Sequence, residues 1–218
     1  MMTLPLPLRR VLLSLSKVLQ LPIQWLSFRL LSVISPQTKI EGVLLIDATG
    51  SSMSEESNVV EGALRLIAQA DPARFARLRR DLGRILLASQ GGPEYLHIAR
   101  ACILNASEVR RQSPERVAMT LVHEATHARL SRAGFANAWA LRHRIERLCV
   151  NEEIAFAQLV PGTESLIKEA QRALDVPWYT EHQLFERKIA QLRSLGRPEW
   201  MLRLYRFVLE PAPDATRH

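Results

Sequence analysis

The chain has 218 residues, of which 47% are hydrophobic and 23% charged, with 9 Gly, 12 Pro and 2 Cys. That mix suits a globular protein with an apolar core, and it excludes collagen-like, low-complexity and disulfide-framework classes. A net charge of +7 favours anionic partners, whether lipid headgroups, nucleic acid or acidic substrates. Arginines such as Arg74, Arg77, Arg79 and Arg80 supply much of it, and their scatter along a helical stretch reads as a solvated face. Cys102 and Cys149 are too few for a disulfide framework, so a reducing, cytoplasmic setting is expected.

Residues 1–40 contain no Asp or Glu and carry Arg9, Arg10, Lys17, Arg29 and Lys39 among many apolar residues. A secretory signal needs an uninterrupted apolar stretch and a small-residue cleavage site, and Lys17 interrupts this one. A transmembrane helix is disfavoured because Lys17, Pro22 and Arg29 break the run. The pattern fits a basic, apolar extension that lies on an anionic membrane surface (a peripheral contact) or on the protein's own core, kinked at Pro22.

The main domain is expected over residues 41–210, with a loose tail over 211–218. Val43–Leu44–Leu45–Ile46 reads as a short strand, and Thr49–Gly50–Ser51–Ser52 as a loop. Helical spacing runs from Val59 to Ala70. Asp71–Pro72 then restarts a helix expected to continue to about Ala88, with Phe75, Leu78, Leu82, Ile85 and Leu86 on one face. Gly91–Gly92–Pro93 is a turn, and Tyr95–Ile98 and Ala101–Leu104 are strand candidates. The fold class is mainly α (α+β): a helical domain with a small β element ahead of the helix that follows.

Ser113–Pro114–Glu115 combines a cap, a proline at the first helical position and an acid in the first turn. The helix should reach about Ala133, where Gly134 stops it. Within it lies His123-Glu124-Ala125-Thr126-His127, an HExxH pattern. Histidines four apart lie one turn apart on one helix face, so both imidazoles can reach one metal ion, here Zn2+. Glu124, beside the first ligand, can take a proton from a zinc-bound water as general base.

Catalytic zinc sites usually have three protein ligands, so a third is expected from another element. A long helix from about Asn137 to Leu159 is the source. Its apolar stripe centres near Ile145, Cys149 and Phe156, with Glu152 close to the middle and Glu153 on the shoulder, in line with Glu146. A carboxylate in an apolar stripe is costly unless paired or bound to metal, so Glu152 or Glu153 is the expected third ligand. Cys149 is a further candidate, though a buried small residue is the plainer reading. Helical stretches follow at Glu164–Leu174, Thr180–Leu195 and Glu199–Leu209.

These two motifs carry a resemblance. His123-Glu124-Ala125-Thr126-His127 followed by Asn151-Glu152-Glu153-Ile154-Ala155 resembles the gluzincin branch of the zincin metallopeptidases, which includes thermolysin and the zinc aminopeptidases. Asn151, Glu152 and Ala155 match that branch's Asn-Glu-x-x-Ala pattern, which favours Glu152 as ligand, with Glu153 the alternative. The resemblance covers about residues 115–160. It implies a zincin-like fold and a zinc peptidase, with His123, His127 and a downstream Glu as ligands and Glu124 as base. Thermolysin-like members place an Asp one turn after the ligand Glu, where this chain has Phe156 or Ala157, and there is no third His of the metzincin kind after His127.

The expectation is a zinc-dependent hydrolase acting on a peptide or protein substrate. A donor for the developing oxyanion should exist, and Tyr179, His182, His143 and Arg142 are chemically able. The alternative is a non-catalytic zinc-binding or membrane-associated interaction protein with a vestigial site, closed by a fourth ligand such as His143, Cys149 or the second glutamate. A nucleic-acid-binding module has no supporting motif.

Overall fold

The computed structural model describes residues 30, 32–50, 54–89, 91–97, 99–135, 141–175, 185–186, 189–190, 192–193 and 198–209. Contacts divide the chain into two units: Trp25–Val176, which carries the motif, and Met1–Gln24 together with Pro177–His218. The protein is mostly helical with one small sheet, an α+β architecture.

Five strands build the sheet: β1 (Gln37–Ile40), β2 (Val43–Asp47), β3 (Arg84–Ala88), β4 (Glu94–Leu96) and β5 (Ala101–Asn105). Their order is β1-β2-β3-β5-β4. β1 and β2 form a tight antiparallel hairpin over Glu41 and Gly42, whose φ angles of 51° and 84° suit a two-residue turn of left-handed residues. β2, β3 and β5 run parallel, and β4 returns antiparallel on the edge. Strand alternation puts Leu45, Ile85 and Cys102 in one row across one face, and Ile46, Leu86 and Ile103 across the other. Ile46 and Leu86 cluster there with Ala99 and Ala101.

Residues 72–88, expected as one helix, divide. The helix α2 (Pro72–Asp81) ends at Leu82, Gly83 takes a φ of 71°, and Arg84–Ala88 becomes the central strand β3. Ile85, Leu86 and Leu87 are all buried, because a central parallel strand is covered on both faces. An unbroken apolar run fits that strand as well as it fits one face of a helix.

This unit also has the helices α1 (Ser54–Ala70), α3 (Ala106–Arg111), α4 (Pro114–Leu130), α5 (Arg142–Ala157) and α6 (Glu164–Asp175). α4 packs against α1, α2, α5 and the strands β4 and β5. It is therefore buried on several sides, through Val117, Ala118, Met119, Leu121, Val122 and Ala128. Each large apolar side chain so buried contributes about 1.5–3 kcal/mol. A wider helical turn over Ser131–Phe135 follows α4, and Gly134 at φ 92° ends it. The second unit contains α7 (Glu199–Leu209). Phe185 stacks on Tyr205 there, and Arg206 pairs with Glu186. Most of the helix expected over Thr180–Leu195 lies outside the described residues.

Candidate metal centre

The Ser113 side chain accepts from the Arg116 amide at the start of α4, with Pro114 in the first turn. Three turns later the helix presents His123 and His127 on one side, both half-buried. Their Nε2 atoms lie 3.1 Å apart and their ring centroids 4.9 Å apart. Both rings thus aim the same nitrogen at one point.

α5 runs along α4 and supplies carboxylates from positions seven residues apart. Glu146 Oε2 stands 3.4 Å from His123 Nε2 and 3.4 Å from His127 Nε2. Its other oxygen, Oε1, is 3.5 Å from the Arg142 guanidinium. Glu153 Oε1 meets His123 Nδ1 on the far side of the ring. A carboxylate only accepts, so Nδ1 carries the hydrogen and the tautomer leaves the Nε2 lone pair of a neutral imidazole free.

Glu152 points elsewhere. It accepts from Arg74 Nη2 of α2 at 2.9 Å and from Arg129 Nη2 of α4 at 3.0 Å. The carboxylate facing both Nε2 atoms is therefore Glu146, and neither Glu152 nor Glu153 does so. The apolar stripe does hold a paired carboxylate at 152, but its partners are two arginines. One of them, Arg74, comes from a helix distant in the sequence.

Charges at the cluster are strongly coupled. Burial alone would lower the His123 pKa, but Glu146 and Glu153 reverse this and raise it to about 10. Burial likewise pushes Glu146 upward, and the two histidines outweigh it, holding the carboxyl well below its ordinary range. Glu124, 6% exposed, is raised by burial; the histidines oppose this, and Glu146 and Glu94 add to it. Cys149, fully buried, has its thiol pushed up by burial and by the neighbouring carboxylates.

Geometry provides a test of fit. Four ligands placed tetrahedrally about 2.0–2.1 Å from zinc are about 3.3 Å from one another. The triangle of His123 Nε2, His127 Nε2 and Glu146 Oε2 has sides of 3.1, 3.4 and 3.4 Å. Donor atoms of His123, His127 and Cys149 also lie within 4.8 Å of one another, so this group could hold a metal ion. The residue types, imidazole, carboxylate and thiol, suit zinc and related divalent ions.

Among the proposed oxyanion donors, Arg142 stands beside Glu146, while His143 is exposed on α5. Tyr179 and His182 lie outside the described residues. Glu146 is not among the ligands expected from the sequence, although its spacing of seven from Glu153 puts the two on one helix face with Cys149 between them. No family model, curated protein or solved structure matches the chain.

Proposed function

We propose that this protein is a zinc-dependent hydrolase that cleaves amide bonds of a peptide or protein. The observation that carries the reading is the triangle of two Nε2 atoms and one carboxylate oxygen, spaced as three corners of a tetrahedral metal site, with the buried Glu124 beside it on α4. His123, His127 and Glu146 would hold the ion. When bound, zinc supplies a Lewis acid for the carbonyl and brings hydroxide within reach at neutral pH. Glu124 accepts the proton of the attacking water on its carboxylate and passes it to the leaving nitrogen. Burial favours that role, because a desolvated carboxylate is a stronger base than an exposed one. Glu153 fixes the His123 ring through Nδ1. Arg142, at the open oxygen of Glu146, holds that carboxylate in place.

A peptide substrate is favoured by the sheet. β4 is an edge strand that packs against α4, and Glu94 at its start acts electrostatically on Glu124. An extended chain that adds to such an edge gains backbone hydrogen bonds independent of its sequence.

The test is zinc content together with hydrolysis of a mixed peptide library. Glu124→Gln should keep about one zinc per chain and lose roughly 10²–10⁴ of the rate. Unchanged hydrolysis in that variant would remove Glu124 from the mechanism. Absence of zinc from the wild type, even after reconstitution, would remove the metal.

One observation favours a second reading, a closed non-catalytic site. The Cys149 sulfur lies close enough to both histidines to be a fourth ligand. Cobalt substitution separates the two. A thiolate-to-cobalt charge-transfer band that disappears in Cys149→Ser identifies the closed site, and its absence keeps the fourth position open.

A further inference from the structure

We infer that the apolar patch of Leu30, Val33 and Ile34 is a docking surface for an anionic lipid membrane. Leu30, Val33 and Ile34 are 60%, 78% and 68% exposed. Large aliphatic side chains seldom stand so far into water within a single turn, and such patches mark interaction sites. The turn is held in place: the Gln37 side-chain amide donates to the Ser32 carbonyl, which ties it to the edge strand β1. Lys39, exposed on β1, lies a few residues further on.

Charge selects the partner. From residue 1 to residue 40 the sequence has no acid and five basic residues, Arg9, Arg10, Lys17, Arg29 and Lys39. Exposed apolar side chains in a stretch of sequence that is basic and free of acids match an interface in which acyl chains take up the former and anionic headgroups attract the latter. A second copy of the chain is a poorer occupant, because each copy would bring the same basic, acid-free stretch of sequence to the contact. No described helix is long and apolar enough to cross a membrane. This inference stands apart from the metal centre and does not require it.

The test is co-sedimentation of the full chain with vesicles of phosphatidylcholine alone or of phosphatidylcholine with phosphatidylserine. The wild type should bind the anionic vesicles and lose binding as salt rises. The triple variant Leu30→Ser, Val33→Ser, Ile34→Ser should bind them at least about tenfold more weakly. Its melting temperature should be unchanged, since the side chains are already exposed. Undiminished binding by a folded triple variant overturns the docking role of this turn. Failure of the wild type to bind either vesicle overturns the membrane assignment. So does a lipid-independent dimer that the triple variant abolishes, which would give the surface to a second copy.

Discussion

Glu152 and Glu153 are neighbours with different partners. One step along a helix rotates a side chain by about 100°, which turns Glu153 to His123 and Glu152 to Arg74 and Arg129. Losing the Nδ1 acceptor frees the imidazole to rotate and to change tautomer, so Glu153→Ala should weaken zinc binding about 10–100-fold, measured by chelator competition. Glu152→Ala should leave zinc affinity nearly unchanged and lower stability by about 1–2 kcal/mol on denaturant unfolding, because Arg129 and Arg74 lose their shared carboxylate while Arg74 keeps its pair with Asp71. Zinc weakening in the second variant and not in the first would reverse these roles. The histidine pair was legible in the sequence because one helix carries it whole. The carboxylate was not, because helical periodicity locates the buried stripe of α5 without saying what faces it. Arg74 is supplied by a helix about eighty residues away, and only the fold shows that it claims Glu152.

At the scale of elements, caps were legible and the central strand was not. Asp71 accepts from the Arg74 amide at 2.8 Å, the function its position before Pro72 implies. Beyond Asp81 the sequence offers an apolar run that suits a helix or a buried strand, and the sheet decides by pairing it on both sides. Asp81 marks the junction. An acid at a helix C-terminus is unfavourable to the helix dipole. Here burial would also raise its pKa, yet hydrogen bonds from Arg80 and Arg132 lower it overall. A carboxyl whose pKa is lower in the folded state stabilises the fold above its unfolded value of about 4, and that contribution is lost as pH falls through the folded value. Asp81→Asn should therefore cost about 1–3 kcal/mol at neutral pH, since the arginine pairs lose their charge partner. In urea unfolding at neutral and at acid pH, the gap between wild type and variant should be smaller at the acid value, below the ordinary carboxylate pKa of about 4. An equal gap at both would show that Asp81 acts through packing and not through charge.

For the whole molecule, the candidate metal site joins two helices that residues 131–141 separate in the sequence. His123 and His127 come from α4, and Glu146 and Glu153 from α5. His123 already faces Glu146 and Glu153 of α5 across the contact with α4. Metal bound between the helices adds a cross-link that exists only in the folded state, because the unfolded chain does not assemble the three donors. At free zinc about 100 times the dissociation constant, that linkage is worth about 2.7 kcal/mol. For a chain of this size each kcal/mol moves the melting temperature by about 2–4 °C, so a chelator should lower it by about 5–10 °C. His127→Ala should melt at the same temperature with and without chelator. The shift should also grow with the logarithm of free zinc, which distinguishes a bound ion from a general salt effect. A wild-type protein indifferent to both zinc and chelator would leave the α4–α5 contact held by the histidine–glutamate pairs alone, and the amide-cleaving proposal would lose its metal.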